Sequence, residues 1–262
     1  MADTKMPLTE HLNELRKRIL ISFVVFFIAF CACFYFSETI FRILIMPMRT
    51  YPKLNLVYPY YHLVERASSA ELVFLAPAEA FWMYIKIAAI AGLIVSLPFI
   101  LQQIWKFISP GLVTKERRLV APFVLGGSAL FATGAAFCYL VVLPFALDFL
   151  LNYKTQYVKP MISVGNYMDF CLKFILAFGL VFELPMLIVV LARMGIVSVQ
   201  TLAKNRKYAV LAAFIIAAVL TPTPDAFNQT LMALPMILLY EIGIIAARIF
   251  GTRKAPIAQS EG

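Results

Sequence analysis

The chain of 262 residues is 62% hydrophobic and only 14% charged, with a mean hydropathy of +0.86. That balance excludes an ordinary water-soluble domain, because no soluble fold of this size hides so much apolar surface. The net charge of +9 falls mainly in short segments between apolar runs, which is the pattern of a membrane orientation signal and not of a nucleic-acid surface.

Six apolar runs follow one another at 19–36, 78–105, 119–146, 167–192, 208–220 and 229–247. In lipid every backbone polar group must bond within its own segment, so runs of this length without a two-residue alternation predict helices. The predicted fold is an all-α integral membrane protein. A bundle of six transmembrane helices fills 19–247, between an N-terminal amphipathic segment 1–18 and a tail 248–262. Lys and Arg number 4, 4, 4 and 3 in segments 1–18, 106–118, 193–207 and 248–262, against 4, 2 and 0 in 37–77, 147–166 and 222–228. By the positive-inside rule both termini are cytoplasmic. The polar lead is too long for a cleavable signal peptide and no A-x-A-like site follows the first run, so that run is expected to stay as an anchor.

At the N-terminus, Leu8, Leu12, Leu15 and Ile19 recur at helical spacing, predicting an amphipathic helix that lies on the membrane surface before it turns in. Glu14 and Arg18 stand one turn apart, close enough for a weak internal pair. Glu14 is also one of few carboxylates on a basic face. The stretch 37–77 holds Tyr51, Tyr58, Tyr60 and Tyr61 with Pro47, Pro52 and Pro59, the composition of an ordered, aromatic cap on the outer face. Glu79, at the start of the second run, reads as a charge that favours a helix N-terminus.

Between the second and third runs, WKFISPGLVTKERRLVAPF turns at Pro110-Gly111 and ends in a basic cluster around Glu116. Two carboxylates on a cationic face, Glu14 and Glu116, suit a ligand that is itself strongly cationic, because arginine pairs carboxylates with charge-assisted, bidentate bonds. In the third run Ser128, Ala132 and Ala136 form a small-residue row that lets a helix approach closely. In the fourth, Glu183 lies about ten residues, or roughly 15 Å, from the basic end, too deep to reach the headgroups. Such a group is a functional candidate, and Pro185 kinks the helix beside it by removing the bond to the Val181 carbonyl. The fifth run is short, near 20 Å of helix.

All four cysteines fall within runs and read as packing residues, and His11 and His62 lie on opposite sides of the membrane. No nucleophile elbow, zinc-protease motif or phosphate loop occurs. Neither an enzyme nor a metal or cofactor site is expected.

The blocks HLNELRKRIL, PAEAF (Pro77, Glu79, Phe81), FISPGLVTKERR, VFELP and TPTPDAFNQT, in this order across nearly the whole chain, resemble the TatC family, the polytopic receptor of the twin-arginine, Sec-independent protein translocase. The resemblance implies that Glu14, Arg16, Arg18, Phe107, Glu116 and Arg117 form the cytoplasmic site for the S-R-R-x-F-L-K-like region of signal peptides. It makes Pro47 the family's outer-loop proline and Glu183 its intramembrane glutamate. Asp225 and Gln229 fall near where single-span partners of the TatA and TatB kind dock. It implies residence in the inner membrane, self-association in a receptor complex and export of folded proteins driven by the proton-motive force. Two departures are visible: TPTPD replaces TPPD, so that Thr221 or Thr223 holds the family's polar position, and Ala76 stands where Ser or Thr often precedes the proline. The alternative is a proton-coupled secondary transporter of a small solute, relaying through Glu183 with Lys173 or Lys86, although the two halves show no internal repeat.

Overall fold

The structure, a computed structural model, describes residues 8–54, 61–65, 71–108, 120–152, 161–221 and 225–250. The chain divides into two compact units, Met1–Gly179 and Leu180–Gly262.

In the first unit, helix α1 runs without a break from Leu8 to Tyr35. This corrects the expectation of a surface helix that turns in near residue 18. No Gly or Pro occurs between those ends, so nothing interrupts the hydrogen-bond ladder where the polar segment passes into the apolar one. Helix α2 (Ser37–Arg49) follows at once, and leads into an antiparallel hairpin of β1 (Thr50–Leu54) and β2 (Tyr61–Glu65). Strand β3 (Glu71–Val73) pairs in parallel with the later β4 (Met161–Ser163). Within 37–77, residues 37–54, 61–65 and 71–77 are described, and they include α2 and the three short strands.

Helix α3 (Glu79–Ile108) packs along α1. The two backbones meet at Gly92, where a Cβ would lie 2.9 Å from the N and Cα of Phe30, so only glycine permits this approach. A third span begins as α4 (Val120–Phe137), passes through one π-helical turn (Cys138–Val142) and continues as α5 (Leu143–Asn152). Helix α6 (Val164–Phe182) supplies the ring stack Phe170, Phe174 and Phe178, with Phe178 against Phe137. With no water to expel between helices in lipid, this interdigitation holds them chiefly by close van der Waals contact.

In the second unit the helix breaks at Glu183, before α7 (Leu184–Arg193). Pro185 cannot donate, so the Glu183 amide takes the tighter Leu180 carbonyl at 3.1 Å, as predicted for a kink at this proline. Gly195, at φ 71°, ends α7: its amide bonds the Ala192 carbonyl and that of Ile196 bonds Leu191, a Schellman motif that needs a left-handed residue. Ser198 caps the short α8 (Val199–Lys204) through the Thr201 amide. Helices α9 (Arg206–Leu220) and α10 (Ala226–Phe250) pack on each other, and α7 packs on α10. Gly243 admits Pro185 and Ile188 there, a Cβ at that position falling 2.6 Å from Ile188 Cδ1.

Among the described residues, five helical segments are long and apolar enough to cross a membrane. The sixth predicted span is α9, whose 15 residues extend about 22 Å, short of roughly 30 Å of hydrocarbon. The fold is the expected six-helix membrane protein, with its short strands confined to the connections outside the spans.

Candidate functional site

At the Arg-rich end of α1, Glu14 and Arg18 face α3. Arg18 Nη2 donates to Glu14 Oε1 at 3.1 Å, and Arg18 Nη1 donates to Gln103 Oε1 at 3.1 Å. The two charged side chains are 20% and 24% exposed, and Gln103 is buried. Arg18 Nε is buried with no partner among the described residues. The guanidinium therefore bridges the two helices, while Arg16 and Lys17 are exposed. Beside this trio an open groove of about 610 Å³ runs between α1 and α3. Arg18 and Gln103 lie at its polar end, and Ile19, Phe23 and Phe26 face Ile100, Ile104 and Phe107 along it. One turn of helix separates the part-buried Glu14 and Arg18, and an ion pair at this spacing is worth only about 0.2–0.5 kcal/mol in an isolated helix. A second guanidinium offering bidentate bonds can replace it at little cost. Glu116 and Arg117 lie outside the described residues.

At the other end of the unit, Glu79 does more than charge a helix terminus. Its carboxylate accepts the Leu75 amide at 2.6 Å, the Ala76 amide at 3.3 Å, the Gly165 amide at 2.7 Å and the Ser163 hydroxyl. It thereby ties the start of α3 to the strand-to-helix turn at β4 and α6. Pro47 is buried in the last turn of α2. Lys86 on α3 is held by both oxygens of Asp169 on α6, at 2.7 and 2.9 Å. Ala132 and Ala136 of the small-residue row are exposed. All four cysteines are free, and three are buried.

In the second unit, Glu183 sits at the break before α7, and its Oε1 is buried without a partner among the described residues. Asp225 caps α10: Oδ1 accepts the Asn228 amide at 2.7 Å and Oδ2 the Asn228 side-chain amide at 2.9 Å. Gln229 donates across to the Phe214 carbonyl of α9 at 3.0 Å. Thr221 returns its hydroxyl to the Ala217 carbonyl at 2.8 Å, and Thr223 is outside the described residues. The opposite ends of α9 and α10 are joined by Arg206, which forks onto Glu241 at 2.6 and 2.9 Å.

The structure brings Arg18 and Phe107 to one groove, with Glu14 bonded to Arg18, and Asp225 and Gln229 to one helix end. Sequence reasoning missed Gln103 and Asp169, both polar groups within otherwise apolar runs. That interruption was the available signal.

The family model for the Sec-independent protein translocase protein (TatC) matches residues 10–235. The chain is 40% identical over 258 residues to the Sec-independent protein translocase protein TatC of Aquifex aeolicus, covering 97% of this chain and 100% of that one. It is 39% identical over 252 residues to its namesake in Desulforapulum autotrophicum, covering 96% and 88%. It is 44% identical over 239 residues to that of Koribacter versatilis, covering 91% and 84%. Two crystal structures of the twin arginine translocase receptor TatC superpose with TM-scores of 0.75 and 0.77. Their identities are 39% and 40%, over 91% and 90% of this chain and 98% and 99% of theirs. The match spans both units and every predicted block, and the chain belongs to the TatC family of Sec-independent protein translocase proteins.

Proposed function

We propose that this chain is the receptor subunit of a twin-arginine translocase and that it binds the arginine pair of signal peptides at the Arg-rich end of α1. The observation that carries the reading is the Glu14 carboxylate, paired one helical turn away with Arg18, which itself lines an apolar groove. An incoming peptide guanidinium takes Glu14, and Arg18 keeps its bond to Gln103. Glu116 serves the second peptide arginine, with Arg16 and Arg117 setting the surrounding charge. Phe107 offers an apolar contact to residues after the pair. Desolvated, bidentate arginine–carboxylate bonds discriminate against lysine, whose ammonium cannot fork.

In this account both termini lie in the cytoplasm and the membrane is the inner one, consistent with the Lys and Arg distribution. Partners of the TatA and TatB kind dock at the short α9 and the adjoining end of α10, near Asp225 and Gln229. Receptor copies associate, and folded cargo crosses at the expense of the proton-motive force. Glu183 serves as a polar landmark for a partner helix or for water, without relaying protons. The transporter alternative loses one of its two lysines, since Lys86 is already engaged by Asp169.

The test is photo-crosslinking in native membranes. A twin-arginine peptide should crosslink to the chain near Glu14 and a twin-lysine peptide should not. Equal crosslinking of both, or proton-coupled flux of a small solute without any, would overturn the receptor reading.

A further inference from the structure

Proline 47 is the eleventh residue of the 13-residue helix α2 and has no amide hydrogen, so the Ile43 carbonyl one turn earlier has no donor within its helix. At a membrane face such a carbonyl needs another partner. The Tyr139 hydroxyl supplies it, donating to Ile43 O at 2.7 Å, and the Tyr167 hydroxyl donates to the next carbonyl, Leu44 O, at 2.8 Å. Tyr139 belongs to the π turn, where the Leu143 amide reaches back five residues to the Cys138 carbonyl. The extra residue in that turn rotates the side chains on either side of it relative to a regular helix. It precedes Pro144, which cannot donate to a regular ladder.

We infer that Tyr139 is a positioning residue for translocation and that Pro47 acts through it: the proline frees the Ile43 carbonyl so that the third span can anchor the outer cap. Helix α2 leads directly into β1, which pairs with β2, so this bond fixes the base from which both strands extend. Tyr167 plays a lesser part. Leu44 O can still accept from the Met48 amide, so its tyrosine bond is supplementary, whereas that of Ile43 is a replacement. The functional half of the inference rests on the translocase reading above.

The test uses the full chain in membranes with two readouts. One is export of a twin-arginine substrate at matched membrane levels. The other is the distance distribution between spin labels at Glu38→Cys on α2 and Asn152→Cys on α5, in a Cys31→Ser background. Tyr139→Phe should broaden the distribution and lower export roughly two- to tenfold, the worth of one hydrogen bond. In a Pro47→Ala background the restored amide at 47 satisfies Ile43, and adding Tyr139→Phe should change export less than twofold. Tyr167→Phe should cost less than Tyr139→Phe and be indifferent to residue 47. Equal losses from Tyr139→Phe in both backgrounds, or no broadening, would overturn the anchor; broadening with undiminished export would overturn its part in translocation. Should Tyr139→Phe fail to accumulate, Pro47→Ala/Tyr139→Phe must restore accumulation, and its failure to do so refutes the coupling. If no variant, the native chain included, exports a twin-arginine substrate while the distribution still broadens, the translocase reading fails and the anchor stands.

Discussion

Replacing Glu183 separates what its carboxyl does for the fold from what it does for the protein's work. Glu183 Oε1 is buried with no partner among the described residues, and a buried polar atom left unpaired costs about 1–3 kcal/mol. Methionine has nearly the same length and no polar oxygen, and the break at this position is set by Pro185, so the backbone should keep its bonds from the Glu183 amide to Leu180 and from Leu187 to the Glu183 carbonyl. Glu183→Met should therefore raise the unfolding midpoint in detergent, by roughly 2–10 °C for a chain of this size. Export of a twin-arginine substrate should fall at the same time, because the group a partner helix or water uses is gone. Glu183→Gln should leave the midpoint within about 2 °C and retain much of the export, since a landmark has only to be polar. Glu183→Ala should lose more export than Gln, as it leaves both a gap and any partner unpaired. Thermal melts and export rates at matched membrane levels make the comparison. A Gln variant as inactive as Ala would refute the landmark and revive a proton relay; a Met variant less stable than the native chain would refute the claim that the carboxyl burdens the fold.

At the α1–α3 crossing, Gly92→Ala gains about 1 kcal/mol of helix propensity but sets its methyl 2.9 Å from backbone atoms of Phe30 that cannot rotate away. Overpacking costs about 1–3 kcal/mol, so the melting midpoint should drop, and an unchanged or higher midpoint would show that the helices part freely. Asp169→Leu strands Lys86 inside a span, so membrane accumulation should fall further than in Lys86→Leu/Asp169→Leu, where no charge is left alone; equal levels would mean that the pair carries no coupling. Because α9 is shorter than the hydrocarbon, the bilayer should thin beside it and single-span partners should gather there. Their cysteine crosslinks should cluster near Leu220 and Gln229, and a cluster on the first and third spans instead would place the docking edge elsewhere.

The spans were legible because lipid leaves the backbone only one way to satisfy itself across an apolar run, and five of the six runs became long helices at nearly the predicted places. The kink at Glu183 was legible too, since Pro185 removes a specific donor. Near residue 18 the composition of the first helix changes but its direction does not, because no residue there stops a helix. Glu79 was half legible: its place at the start of α3 followed from position, whereas its bonds to Ser163 and Gly165 join residues more than 80 positions apart. Gln103 and Asp169 escaped for the same reason. Each is a polar residue in a mostly apolar run, and its meaning lies in Arg18 or Lys86 on another helix. For Glu14 the sequence supplied both the internal pair and the odd carboxylate on a basic face, and the structure added the buried Gln103, which accepts a bond from Arg18 across to α3.

The most direct test of the account is the affinity of a twin-arginine signal peptide for the chain in its membrane, measured by photo-crosslinking against peptide concentration. Glu14→Arg and Glu116→Arg each replace attraction by repulsion on a face already rich in cations, while leaving the spans intact. The account predicts that either substitution sharply weakens crosslinking of a protein that still inserts at native levels. Crosslinking unchanged in both variants would contradict it.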